Sequence, residues 1–257
     1  MEPSDVALRR TQMGRGIGRF ADAPGMTWRV EGDWWLALTG LPSADANMAL
    51  VHGEDPGALD AAVAAVSAAN GGDGVPCLLM LAGEARAMQD RLPADWSDVG
   101  TMPIMGRDLA DVDADHRDDR VRRIRPEDAP VVADLLAEAY GIAPDVMTVV
   151  TDAGSRDDAG FQTWLLEDEG LVVSSVTTCR TDDAVSVWVM GTPERFARRG
   201  FGRALLATVL AEARRDGAAL GLLGATPAGL PLYESTGWVT FEEWQINVNA
   251  TSAQFEH

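Results

Sequence analysis

The sequence predicts an α/β (α+β) protein of two domains with related architecture. Three observations carry this. Runs rich in β-branched and aromatic residues alternate with helical stretches along all 257 residues. The elements follow a similar order in each half. Between the halves lies "ADVDADHRDD" (110–119), where five aspartates and almost nothing apolar read as a solvated connector. The expected domains are 1–119 and 120–257.

In the first half, "WWLALTG" and "NMALVHG" read as strands. "DPGALDAAVAAVSAAN" reads as a helix, with Pro56 near its first turn and Gly71 and Gly72 as its stop. "PCLLMLAG" is a strand, "EARAMQDRL" a short helix and "DVGTMPIMG" a strand. In the second half, "VRRIRP" is a strand and "EDAPVVADLLAEAY" a helix. "FQTWLLEDEGLVVSSVTTC" reads as a hairpin turning at Asp168-Glu169-Gly170. A strand at 184–192 leads to a helix at 202–216, whose Leu205, Leu206, Val209, Leu210 and Ala213 share one apolar face. "ALGLLGAT" (strand), "GLPLYEST" (short helix) and "WVTFEEWQINVN" (strand) close the chain.

Composition narrows the function classes. With 46% hydrophobic and 24% charged residues, the chain is globular, with ample core. Its apolar runs fall far short of the roughly 20 residues of a membrane span. The N-terminal sequence has no apolar signal core, and Cys77 and Cys179 sit in apolar strand-like runs as buried thiols. A reducing, cytoplasmic setting is expected. The net charge of −19 disfavours nucleic acid and mildly favours a cationic partner. All 21 basic residues are arginine, which has no functional explanation here.

Against that acidity, "PERFARRGFGRALL" places four arginines and two glycines immediately before or at the start of the 202–216 helix. The first N–H groups of a helix lack intrahelical partners, and the macrodipole adds partial positive charge. Glycines admit a phosphate to the backbone, so Ala197, Arg198, Arg199, Gly200, Phe201, Gly202 and Arg203 form a candidate pyrophosphate cradle. Pro193 cannot donate to a ladder, so pairing should fail nearby and leave Val189, Met190 and Gly191 backbone groups for a ligand arm. Tyr233 could act as a general acid near a thioester, or simply pack between helix and sheet. Two similar stretches lack ingredients of this frame. "GRGIGR" (14–19) has no preceding strand and is followed by "FADAPG" rather than a long helix. "HGEDPGALD" carries Glu54 and Asp55, which suit a helix start but repel phosphate.

The segment from "VWVMGTPERFARRGFGRALL" to "ATPAGLPLYESTGW" resembles the acyl-CoA-binding core of the GNAT superfamily of N-acyltransferases. Gly200 and Gly202 match the family's loop glycines; Leu232-Tyr233 and Gly237-Trp238 match its second block. "VRRIRPEDAPVVADLLAEAY" resembles its first strand and helix, so the resemblance covers about 120–257. It implies a mixed, mostly antiparallel twisted sheet flanked by helices in each domain, the first domain being a degenerate copy, as in tandem GNAT proteins. It further implies acetyl-CoA (or another short acyl-CoA) as co-substrate, with its pantetheine arm beside Val189–Gly191 and near Thr226. A small-molecule amine, cationic by the charge argument, would be the acceptor, with neither nucleic acid nor membrane as partner and a homodimer left open. Transfer would be direct, with Tyr233 as the catalytic acid and no metal.

There are departures. Ala197 stands where the family usually has Arg or Gln, and Thr226 where many members have Asn. Strand 184–192 carries no carboxylate or histidine to serve as base. The nearest carboxylates, Glu194, Glu234, Glu242 and Glu243, read as solvated charges, and His52, His116 and His257 lie outside the matched core. A CoA-binding sensor or scaffold is the rival reading. The first half would cover a sheet edge and wall the acceptor cleft, where Trp28, Trp34 and Trp35 would be lining or ordinary packing.

Overall fold

The computed structural model describes residues 3–19, 26–69, 72, 74–156 and 160–249. Gly71, the "FADAPG" run and His257 lie outside them. The chain forms two compact units that divide between Ile104 and Met105, and the segment from Thr240 returns to the first unit. The second unit is Met105–Val239. This differs from the expected division at 119/120. The aspartate-rich stretch is tied down within the second unit: Leu109 and Val112 are buried in its core, and Arg214 and Arg215 donate to the carbonyls of Val112 and Ala114. Asp113 and Asp118 accept from amides two residues on, so the aspartates build turns.

The first unit contains α1 (Pro3–Gly18), β1 (Thr27–Glu31), β2 (Trp34–Leu38), β3 (Asn47–His52), α2 (Pro56–Ser67), β4 (Leu78–Ala82) and a 3₁₀ helix at Gly83–Arg91. It also holds the first part of β5 (Ser97–Asp108) and, from Thr240, nearly all of β11 (Val239–Val248). Its strand order is β1-β2-β3-β4-β11-β5, with β3 and β4 parallel and joined through α2. The closing strand belongs here because Gln245–Val248 pair antiparallel with Leu78–Leu81. Trp34, Leu36, Val51, Leu59, Val66, Leu79 and Leu81 form the core under α2.

The sequence reading did not foresee α1 or β1. α1 explains "GRGIGR": a Cβ at Gly14 would lie 2.7 Å from the Trp35 ring, and one at Gly18 2.6 Å from Trp28. These glycines let a helix lie directly on indole rings. Trp34 and Trp35 are only 4% and 3% exposed, so both are core residues.

The second unit contains the end of β5, β6 (Val121–Arg123), α3 (Ala129–Tyr140), α4 (Pro144–Gly154), β7 (Phe161–Asp168) and β8 (Leu171–Thr181). Then follow β9 (Ala184–Gly191), α5 (Phe201–Arg215), β10 (Leu220–Gly224) and α6 (Leu230–Glu234). The order is β5-β10-β9-β8-β7-β6, antiparallel from β6 to β9 and parallel only between β9 and β10. This is the expected mixed α/β class, a mostly antiparallel sheet flanked by helices. The hairpin turns at Glu169 (φ 52°) and Gly170 (φ 79°), two left-handed residues that match strand twist. The predicted apolar face of α5 is buried, with Leu205, Leu206, Val209 and Leu210 at most 2% exposed. Each is worth roughly 1.5–3 kcal/mol of burial. The opposite face of the sheet packs against α3 and α4 through Leu136, Met147 and Leu165. Asp128 fixes the entry to α3, accepting from both Arg122 guanidinium nitrogens (2.6 and 2.9 Å) and from Arg125 N (2.8 Å).

Candidate functional site

β9 and β10 pair only at Ala184–Leu220, Val185–Gly221 and Ser186–Leu222. From Val187 onward, β9 has no partner on that side among the described residues. On its other side the register with β8 jumps between Ser175–Gly191 and Thr177–Trp188. Val189 sits in this bulge with φ 45°. A β-branched residue in the left-handed region is strained by about 1–3 kcal/mol and persists only where its surroundings hold it. The open edge and bulge fall on Val189, Met190 and Gly191, the segment expected to meet a ligand arm.

The glycine-arginine loop closes one end of this opening. Arg198 (φ 59°) and Gly200 (φ 83°) are both left-handed, and Gly200 is the N-cap of α5 without a side-chain cap. The first intrahelical bond runs from Ala204 N to Gly200 O (3.0 Å). The amides of Phe201, Gly202 and Arg203 have no partner among the described residues. Gly202 lies against the bulged strand: a Cβ there would stand 3.2 Å from Met190 Cε and 3.5 Å from Thr192 Oγ1. Of the loop arginines, Arg199 pairs with Asp168 (3.4 Å) and stacks on Phe201 (4.7 Å). Arg203 donates to Ser235 Oγ (2.7 Å). Arg198 is exposed, with no ion pair among the described residues. Ala197 spends its amide on Glu194 O (3.0 Å).

Tyr233 reaches the same place from α6. It is 7% exposed, edge-on to Trp238 (5.9 Å between centroids), with its hydroxyl 3.8 Å from Met190 Sδ. That thioether is a weak acceptor, so a buried phenol is left with an under-used donor. Burial pushes its pKa up to about 12, which keeps it neutral. Gly229 makes room for the ring, since a Cβ there would lie 2.9 Å from Tyr233 Cε2. Thr226 Oγ1 accepts from Gly229 N (3.2 Å), so this side chain caps the turn into α6.

No protein-family model and no curated protein matches this sequence. Solved structures do match. A GCN5-related N-acetyltransferase from Kribbella flavida aligns over 95% of this chain and 95% of its own, with TM-score 0.67 and 16% identity. One from Sphaerobacter thermophilus aligns over 85% of this chain and 76% of its own, with TM-score 0.56 and 14% identity. A GCN5-related N-acetyltransferase-like protein from Streptococcus suis aligns over 93% and 98%, with TM-score 0.54 and 15% identity. The chain has the GCN5-related N-acetyltransferase fold.

Within this GNAT fold, Met190 is the meeting point. The chain's two tyrosines both contact it: Tyr233 at the thioether, and Tyr140 through a hydroxyl donated to its carbonyl (3.1 Å). The sequence reading missed Tyr140, which appears there only as the last residue of an ordinary helix. It also took Glu242 for a solvated charge. The structure corrects this. Glu242 belongs to the first unit, pairs with Arg10, and accepts from Gly83 N (3.0 Å) and Trp244 Nε1 (2.9 Å). Glu194, Glu234 and Glu243 are exposed, as expected. Cys77 and Cys179 are free buried thiols, and burial raises the pKa of Cys77. No helix among the described residues is long and apolar enough to cross a membrane.

Proposed function

We propose that the second unit binds acetyl-CoA, or another short acyl-CoA, and transfers the acyl group directly to the amine of a small molecule. One observation carries the reading: an uncapped helix start, a strained and unpaired bulge and a buried phenol with a spare donor all converge on Met190 and Gly202. Each lacks the partner that a pyrophosphate, a pantetheine amide and a thioester sulfur would supply in turn. The likeness to solved GCN5-related N-acetyltransferases supports it.

In this reading the amides of Phe201 to Arg203 hold the pyrophosphate, with charge from Arg198 and Arg199. Val189–Gly191 bind the pantetheine arm, and donors at the bulge polarise the thioester carbonyl. The amine nitrogen attacks the carbonyl carbon, the C–S bond breaks, and the sulfur leaves with the electron pair. Tyr233 donates a hydrogen bond to the departing thiolate. Complete proton transfer from a phenol near 12 to a thiolate whose conjugate thiol has an ordinary pKa of about 8.5 runs uphill, so the thiolate takes its proton from water. The amine's proton leaves to water. The net charge of −19 favours a cationic acceptor by long-range steering.

A second reading, a CoA-binding sensor or scaffold, draws on the absence of any carboxylate or histidine along β9. Calorimetry with CoA and a thiol-release assay with acetyl-CoA and a panel of amines separate the two. We expect one CoA per chain and thiol release with at least one amine. Binding without release across the panel favours the sensor, and no heat at millimolar CoA removes both readings.

A further inference from the structure

We infer that Tyr140 is a positioning residue: it holds the Met190 carbonyl toward α3 and so keeps the bulge's N–H donors, not its acceptors, available to the acyl carbonyl. The inference rests on the acyl-CoA reading above.

The last turn of α3 is pressed against the bulge. A Cβ on Gly191 would lie 2.9 Å from Leu136 Cδ2, 3.0 Å from Ala139 Cβ and 3.5 Å from Tyr140 Cε2. From that turn, Tyr140 donates to Met190 O at 3.1 Å. The next carbonyl is also held by a side chain: Ser174 Oγ donates to Gly191 O (3.1 Å) and lies 2.8 Å from Thr192 Oγ1. Two consecutive carbonyls therefore accept from hydroxyls of neighbouring elements. An acyl carbonyl is itself an acceptor, so it is bound only where donors face it and repelled where a peptide carbonyl does. Val189, the residue before, holds a strained φ of 45°. Without a clamp on Met190 O, the 190–191 peptide beside that strained residue is free to rotate and turn its carbonyl inward. Tyr140 need not touch the substrate to set which end of the peptide faces it.

The test compares acetyl-CoA with S-ethyl-CoA, a thioether of the same shape without the carbonyl, by calorimetry on the full chain. The wild type should prefer acetyl-CoA by about fivefold, the worth of one hydrogen bond. Tyr140→Phe should reduce that preference to within about twofold while leaving affinity for CoA itself unchanged. A merely structural role would weaken all three ligands together, and that outcome overturns the inference, as does an undiminished preference in the variant. Should Tyr140→Phe fail to fold, the wild type labelled with 3-fluorotyrosine carries two fluorine signals, separable with Tyr233→Phe. The Tyr140 signal should shift differently with acetyl-CoA and with S-ethyl-CoA, and identical shifts overturn the inference. Failure of the wild type to bind CoA overturns the cofactor reading first and this one with it.

Discussion

Gly202→Glu should keep or raise the protein's stability while weakening its cofactor site. Gly202 is the second residue of α5, inside the turn that the first intrahelical bond, Ala204 N to Gly200 O, closes. A carboxylate in a first turn gains about 0.3–1 kcal/mol from the macrodipole, and Glu exceeds Gly in helix propensity by roughly half a kcal/mol. Against this stands the new Cβ at 3.2 Å from Met190 Cε, the movable end of a flexible side chain, which gives way cheaply. Stability should therefore hold or rise by up to about 1 kcal/mol. The same carboxylate would sit within about 5 Å of the proposed pyrophosphate. At the dielectric of a partly exposed site, repulsion between them is about 2–3 kcal/mol, or roughly 30- to 200-fold in affinity. Thermal melts and CoA calorimetry read the two quantities on one sample. The affinity loss should shrink in high salt. Because the two effects have opposite sign, misfolding cannot imitate the result. Unchanged CoA affinity would refute the reasoning, because it would place the phosphates away from this helix start.

Three further outcomes follow from single residues. Gly200→Ala meets no atom within 4 Å, yet its φ of 83° penalises any Cβ, so a loss of about 1–2 kcal/mol in urea unfolding is expected without steric damage. Tyr233→Phe should lower turnover about 10- to 100-fold with CoA affinity nearly intact, and the ratio to wild type should stay constant from about pH 6 to 10, because the buried phenol remains neutral there; a ratio that collapses near pH 10 contradicts that neutrality. Hydrogen bonds from Arg122 hold the Asp128 carboxyl down at about 2, so its contribution is present above the ordinary carboxylate pKa and lost as pH falls through about 2. Asp128→Asn should cost on the order of 1–2 kcal/mol at neutral pH and flatten acid unfolding between about pH 4 and 2.

What the sequence showed and what it hid follow from where each element's conformation is decided. α5, its glycine-arginine start and the Glu169-Gly170 hairpin are written locally, in an apolar face of helical period and in residues that tolerate left-handed backbone. α1 is not. Its "RRTQMGRGIG" carries three glycines that weaken a helix in isolation, and the stabilising partners, Trp35 against Gly14 and Trp28 against Gly18, come later in the chain. α4 was missed because "VMTVVT" is β-branched and reads as strand, while the helical cues are confined to Pro144 and Asp145 in its first turn. β11 follows the second half in sequence but joins the first unit through pairing with β4, a choice made by long-range hydrogen bonds. Within the site, the loop glycines and Tyr233 were legible. The bulge was not: "VSVWVM" is an unbroken run of strand formers, and nothing local announces φ 45° at Val189.

The two units contain the same strand-helix-strand crossover, and the contrast shows what turns such a unit into a binding site. In the first, β3 and β4 pair over five residues, Met48–Leu78 through His52–Ala82, up to the point where both strands end. Asp55 then caps α2, its carboxylate accepting from Gly57 N at 2.9 Å. The edge is closed and a first-turn donor is used, with a negative charge already seated where a phosphate would go. In the second, pairing stops after three residues, the strand bulges, and glycine replaces the capping acid. Every one of these changes costs stability: a missing cap about 1 kcal/mol, a strained valine about 1–3. The buried face of α5 offsets that cost a few residues away, since four nearly inaccessible leucine and valine side chains anchor the helix whose start is left open. Separating the anchoring face from the open start lets the same helix be rigid where it packs and unsatisfied where it must bind. It also explains why the first unit, with cap and pairing intact, is expected to leave CoA to the second.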